Sequence, residues 1–71
     1  PMTREEEDRR LALSTAVAKI NAAIDSLRRV TWSSPVCEEI AGRVGGEMRG
    51  LARLAQIELD ELRAKRAAED R

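Results

Sequence analysis

Apolar side chains recur at helical spacing on both sides of a single interruption in this chain. In the first half Leu13, Val17, Ile20, Ile24 and Leu27 step by four, three, four and three positions. That is the rhythm of a coiled-coil seam, and Ala16 and Ala23 widen it on one side. Asn21, Asp25 and Arg29 fall on the opposite, polar side. In the second half Ile40, Val44, Met48, Leu51, Ala55, Leu59 and Leu62 are spaced four, four, three, four, four and three. This eleven-residue rhythm lies close to the natural helix period and predicts a helix that is nearly straight or slightly right-handed in its supercoil. The two stripes together form the expected seam of a helical hairpin.

The ends of both helices are signalled by residue chemistry. Thr3-Arg4-Glu5-Glu6 fits the capping box, in which a hydroxyl and a carboxylate three residues apart satisfy each other's backbone amides. Glu5, Glu6, Glu7 and Asp8 then face the positive pole of the helix, and Arg28 and Arg29 its negative pole. Glu5 with Arg9 and Glu6 with Arg10 stand four apart, as helical ion pairs do. The interruption is Val30-Thr31-Trp32-Ser33-Ser34-Pro35. Ser34 suits an N-cap, and Pro35 suits the first helical position, where its missing N–H costs nothing. Pro35 also disfavours a helical Ser34, which argues against one continuous helix. The expected fold is therefore all-α: an antiparallel two-helix hairpin forming a single domain over residues 2–71. Helix one should span about 4–30, the turn 31–34 and helix two about 35–69. Pro1, which precedes Met2, is left out of this reading. At about 1.5 Å per residue the second helix outruns the first, which predicts an overhang of roughly two turns at Ala64 to Arg71.

A second face is expected on helix two. Leu54 and Ile57 lie off the main stripe and share a side with Gly46, Gly50, Ala64 and Ala68, although Arg43 and Glu61 interrupt it. Gly42, Gly45, Gly46 and Gly50 crowd one stretch of a helix in which each costs roughly 0.5–1 kcal/mol against alanine. Two readings stay open: Gly46 and Gly50 let another backbone approach, or the segment is kinked or loosened. The first makes Gly46, Gly50, Leu54 and Ile57 a partner interface. The chain also carries more leucine, isoleucine and valine than two helices can bury, with no disulfide or evident metal site to staple them. The expectation is that the hairpin dimerises into a four-helix bundle with a protein partner, either a second copy or a related helical hairpin.

Composition narrows the function classes. Charged residues make up 37% of the chain and cancel to zero net charge, which disfavours nucleic acid or an anionic bilayer as the main partner. The arginines do not gather on one side, and no stacking aromatic accompanies them. Apolar runs are only a few residues long, so no membrane span is expected, and the acidic start is unlike a classical signal peptide. Arginine outnumbers lysine eleven to two and shares with alanine the place of commonest residue, a bias that fits a GC-rich bacterial genome.

Candidate chemistry is sparse. There is no histidine, so Ser33 and Ser34 lack a base and read as turn and cap residues. Cys37, the only cysteine, stands in the first turn of helix two; it is either a thiol of lowered pKa or a small half-buried apolar residue. Glu38 with Glu39, and Glu58 with Asp60 and Glu61, sit beside Arg43, Arg63 and Lys65 and read as solvated ion-pairing faces rather than metal or acid–base groups. The expectations are no enzymatic activity, no cofactor, no metal and no small-molecule substrate. Trp32, the only aromatic residue, is either a wedge between helix ends or an anchor facing a partner.

The stretch Leu27-Arg28-Arg29-Val30-Thr31-Trp32-Ser33-Ser34-Pro35 and the helix that follows to about Leu62 resembles the small WxG hairpin (ESAT-six-like) family linked to type VII secretion in actinobacteria and related bacteria. Trp32 matches the motif tryptophan, whereas Ser34 stands where the motif has glycine. The chain has no tyrosine, so the tyrosine-based export signal of some members is missing, and helix one is short for the family. The resemblance implies an antiparallel hairpin that pairs into a four-helix dimer and serves as a secretion substrate or as partner and chaperone of a secreted protein. It also implies a cytoplasmic protein that a type VII-like system exports. The reading set against it is a self-assembling helical adaptor or scaffold, phage accessory or antitoxin-like, unrelated to secretion.

Overall fold

A computed structural model of the chain describes residues 1–70. It contains two α-helices packed antiparallel, α1 over Arg4–Arg29 and α2 over Pro35–Glu69, in a rod of 54 × 18 × 14 Å. The α1 cap closes as the sequence requires: the Thr3 hydroxyl accepts from the Glu6 amide, and the Glu6 carboxylate accepts from the Thr3 amide, each at 3.1 Å. The chain leaves α1 at Val30, whose backbone is extended, and Ser34 caps α2 by accepting from the Cys37 amide at 3.4 Å. Pro35 takes the first position of α2.

The seam differs from the expected one on α2. Val17 and Ile24 are buried on α1, with Leu13, Ile20 and Leu27 partly buried around them. On α2 the buried residues are Gly45, Ala52, Ala55, Leu59 and Leu62, with Ala41 and Met48 partly buried. Ile40, Val44 and Leu51, expected in the seam, are exposed instead. The reason is periodicity. Positions 41, 45, 48, 52, 55, 59 and 62 repeat every seven residues, the same rhythm as 13, 17, 20, 24 and 27 on α1, so the two helices stay in contact along their length. The eleven-residue rhythm of the bulkier residues would drift away from that line, and the straight or right-handed helix it predicts does not describe the buried face. Small residues occupy much of the shared track, and the core is centred on Val17, Ala55 and Leu59, with Leu13 packed against it; Leu59 is only 2% exposed.

The open end is held by charge. Lys65 Nζ donates to Glu6 at 2.6 Å and Arg66 to Glu7 at 2.9 Å, while Arg10 grips the same Glu7 oxygen at 2.6 Å. Arg9 donates to Glu58 at 2.7 Å. These replace the expected Glu5–Arg9 and Glu6–Arg10 pairs: α2 offers Arg9 and Glu6 the counter-charges Glu58 and Lys65, and Arg10 turns to Glu7 on its own helix. They also remove most of the expected overhang: Lys65 and Arg66 lie level with the first turn of α1. Arg71, the end of that expected overhang, lies outside the described residues.

Candidate interaction surface

The residues that the seam leaves out are not scattered. A helix turns about 100° per residue, so on α2 the side chains of Ile40, Val44, Leu51 and Leu54 fall within one sector beside the seam. On α1 the corresponding sector carries Ala12, Ala16, Ile20, Ala23 and Leu27, with Lys19 at its outer edge. The two sectors meet along one flank of the hairpin. Toward the middle of the rod they form an apolar groove in which Leu13, Ala16 and Ile20 face Leu51, Leu54 and Ala55, with Ile57 and Glu58 at its edge. Toward the turn a second apolar groove is lined by Leu27, Trp32, Cys37, Ile40, Ala41 and Val44. The Arg9–Glu58 ion pair closes the flank at the open end of the hairpin. The opposite flank is polar: Arg28, Glu38 and Arg49 border a recess beside Gly45 there, and Ser14 and Asn21 continue that side of α1.

Of the expected interface residues, Leu54 is 64% exposed and Ile57 half exposed, and both line the apolar flank. Gly46 and Gly50 are exposed on the side of α2 that carries Ile57. They point away from α1, and a Cβ built on either would meet nothing within 4 Å. Gly42 is equally open, and at Gly45 in the seam a Cβ would touch only the Arg49 guanidinium, at 4.0 Å. No glycine here has a positive φ, and α2 runs unbroken through all four. Neither a close backbone approach nor a kink accounts for them within the hairpin. Ile40, Val44 and Leu51 were missed as flank residues; the signal that finds them is the seven-residue phase of α1 laid onto α2.

Trp32 is half-buried across the end of the hairpin and contributes to recesses on both flanks, beside Leu27 of α1 and Ala41 of α2. Its ring therefore lies between the helix ends and also borders the turn-proximal end of the apolar flank, so both expected roles keep a structural footing. Cys37 is exposed rather than half-buried, because the first turn of α2 projects past the end of α1.

The electrostatics that stand out belong to the open end. The Lys65 ammonium, with help from the Thr3 amide, holds the Glu6 carboxyl below its ordinary 4.5. Arg10, and then Arg66, do the same for Glu7, and Glu7 in return raises the pKa of Arg10. These are structural ion pairs at the helix ends, away from the apolar flank. Among the described residues no helix is long and apolar enough to cross a membrane, and no three histidine, cysteine, aspartate or glutamate side chains gather as a metal site would require.

No protein-family model, curated protein or solved structure matches this chain.

Proposed function

We propose that this chain is a non-enzymatic protein–protein interaction module that docks through the apolar flank of its hairpin. The observation that carries this reading is the exposure of Leu51 and Leu54, at 58% and 64%, beside Ile40 and Val44 in a sector whose charged residues are Glu47 and the ion-paired Glu58. Aliphatic surface of that extent is the usual mark of an association site on a small helical protein. The flank also has the layout that suits such a task, being bounded by an ion pair at one end and by Trp32 at the other. The resemblance of the turn to WxG hairpins extends the proposal: the module is a substrate of a type VII-like secretion system, or the partner that accompanies one.

The docking reading is tested by placing a photo-crosslinking amino acid at Leu54 and, as a control on the polar flank, at Ser14, in the cells that make the protein. A protein adduct is expected from position 54 and not from position 14. Equal labelling from both positions, or none from either, overturns the reading. The secretion extension has its own test. Co-purification with a neighbouring gene product that is lost in Trp32→Ala supports it, and pairing indifferent to Trp32 counts against it.

A further inference from the structure

We propose that the recess on the polar flank, beside the turn, binds a small organic carboxylate: one negative charge carried on a short apolar body. The site lies across the rod from the apolar flank and is independent of what docks there. Three observations support it.

The first is shape. The recess has a volume of about 300 Å³, at the lower end of the range for small-molecule pockets. Ile24, Leu27, Val30 and Trp32 give it apolar walls, and Gly42 and Gly45 line it on the α2 side. Neither glycine is required by the hairpin. Both have ordinary helical φ, and a Cβ would meet nothing within 4 Å at Gly42 and only the Arg49 guanidinium, at 4.0 Å, at Gly45. What their missing side chains leave is room.

The second is a pair of cations without a counter-charge. Side chains on a helix lean toward its N-terminus, and Arg49 leans back until its guanidinium stands over Gly45. The antiparallel register, which sets Val17 against Ala55 and Leu59, brings Arg28 of α1 level with the same glycine. Among the described residues neither arginine forms an ion pair, and Asp25, the acid nearest to Arg28 in sequence, is taken by Arg29. At the open end Arg9, Arg10, Lys65 and Arg66 are all paired. Two guanidinium groups facing one recess repel each other, and a carboxylate between them relieves that repulsion with charge-assisted hydrogen bonds.

The third is Glu38, which also lines the recess and is itself unpaired. Two arginines and one glutamate leave a single positive charge, which suits a monoanion better than a phosphate dianion. Glu38 stands about two helical turns nearer the turn than Gly45. The ligand's charge is therefore directed to the arginines and its apolar body toward Val30 and Trp32.

Hexanoate is the probe, with hexanamide and inorganic phosphate as controls, and nuclear magnetic resonance of the full chain is the readout. Hexanoate should shift the Gly42 and Gly45 amides and the single indole N–H saturably, with a dissociation constant on the order of millimolar for so small a ligand. The Gly46 and Gly50 amides, which face elsewhere, should stay put. Arg28→Gln/Arg49→Gln should weaken binding by roughly tenfold or more, whereas Glu38→Gln should tighten it roughly twofold. Gly42→Leu should fill the recess and abolish binding. Each variant should keep its helical circular dichroism, because the three charged side chains are unpaired and the added side chain at position 42 starts in open space. The proposal is overturned if hexanoate gives no saturable shift, if hexanamide or phosphate matches it, or if binding survives either the arginine variant or Gly42→Leu. Shifts centred on Cys37 and Val44 overturn it as well, because they place the probe in the apolar groove on the other flank.

Discussion

Leu59 and Leu51 are the same residue type eight positions apart on one helix, yet they do opposite work. Leu59 is 2% exposed against Val17 and Ala55, and Leu51 is 58% exposed on the flank. Truncating Leu59 leaves a cavity at the centre of the core, so Leu59→Ala should cost about 2–5 kcal/mol. Leu51→Ala should cost no more than about 0.5 kcal/mol when measured at protein concentrations too low for association. Urea unfolding of the two variants checks the contrast, and equal losses would contradict the seam described above. The glycines give the converse expectation. At Gly46 and Gly50 an added methyl group meets open space and the backbone is already helical, so each Gly→Ala should stabilise the hairpin by roughly 0.5–1 kcal/mol. The same urea measurement reads it, and destabilisation at either position would show that something approaches those backbones closely.

At the scale of the element, the sequence carries both helices almost to the residue, because their limits are set by local chemistry: a capping box at Thr3 and Glu6, and a serine–proline pair at Ser34 and Pro35. The face that α2 turns to α1 was harder to read. On α2 alone, Ile40, Val44 and Leu51 are more hydrophobic than Ala41, Gly45 and Ala52, and an amphipathic stripe is naturally drawn through the larger residues. Which stripe is buried depends on a property of neither helix alone, the shared seven-residue phase with α1, and on the closer approach that small side chains allow. The ion pairs were misread for a related reason: Arg9 and Glu6 reach across to α2, which spacing along α1 cannot reveal. Those cross-helix pairs yield a prediction. The Glu6 and Glu7 carboxyls titrate below their ordinary 4.5, so the folded chain keeps them charged where the unfolded chain has already taken up protons. The stability they contribute is complete above that ordinary value and is lost as pH falls through the lowered folded values. Thermal midpoints should therefore decline on acidification below about pH 5, and the decline should be shallower in Glu6→Gln/Glu7→Gln. Glutamine keeps the capping geometry at position 6, so loss of the cap would not confound the comparison.

For the whole molecule, the governing fact is that a two-helix rod has one seam and no opposite wall. Each helix buries a narrow track, and the aliphatic side chains beyond it stay in water unless another surface covers them. A chain of 71 residues in this shape has little margin against the entropy of ordering its backbone. Association should therefore appear as stability. If copies pair along the flank, the folded dimer is favoured by mass action and the thermal midpoint should rise steadily with protein concentration. In Leu51→Glu/Leu54→Glu the midpoint should be lower and independent of concentration, because the seam through Val17, Ala55 and Leu59 survives while the pairing does not. Calorimetry or circular dichroism across two decades of concentration makes the comparison. A wild-type midpoint that does not move would mean that the hairpin stands alone in solution and that its aliphatic flank adds nothing to the stability of the free chain.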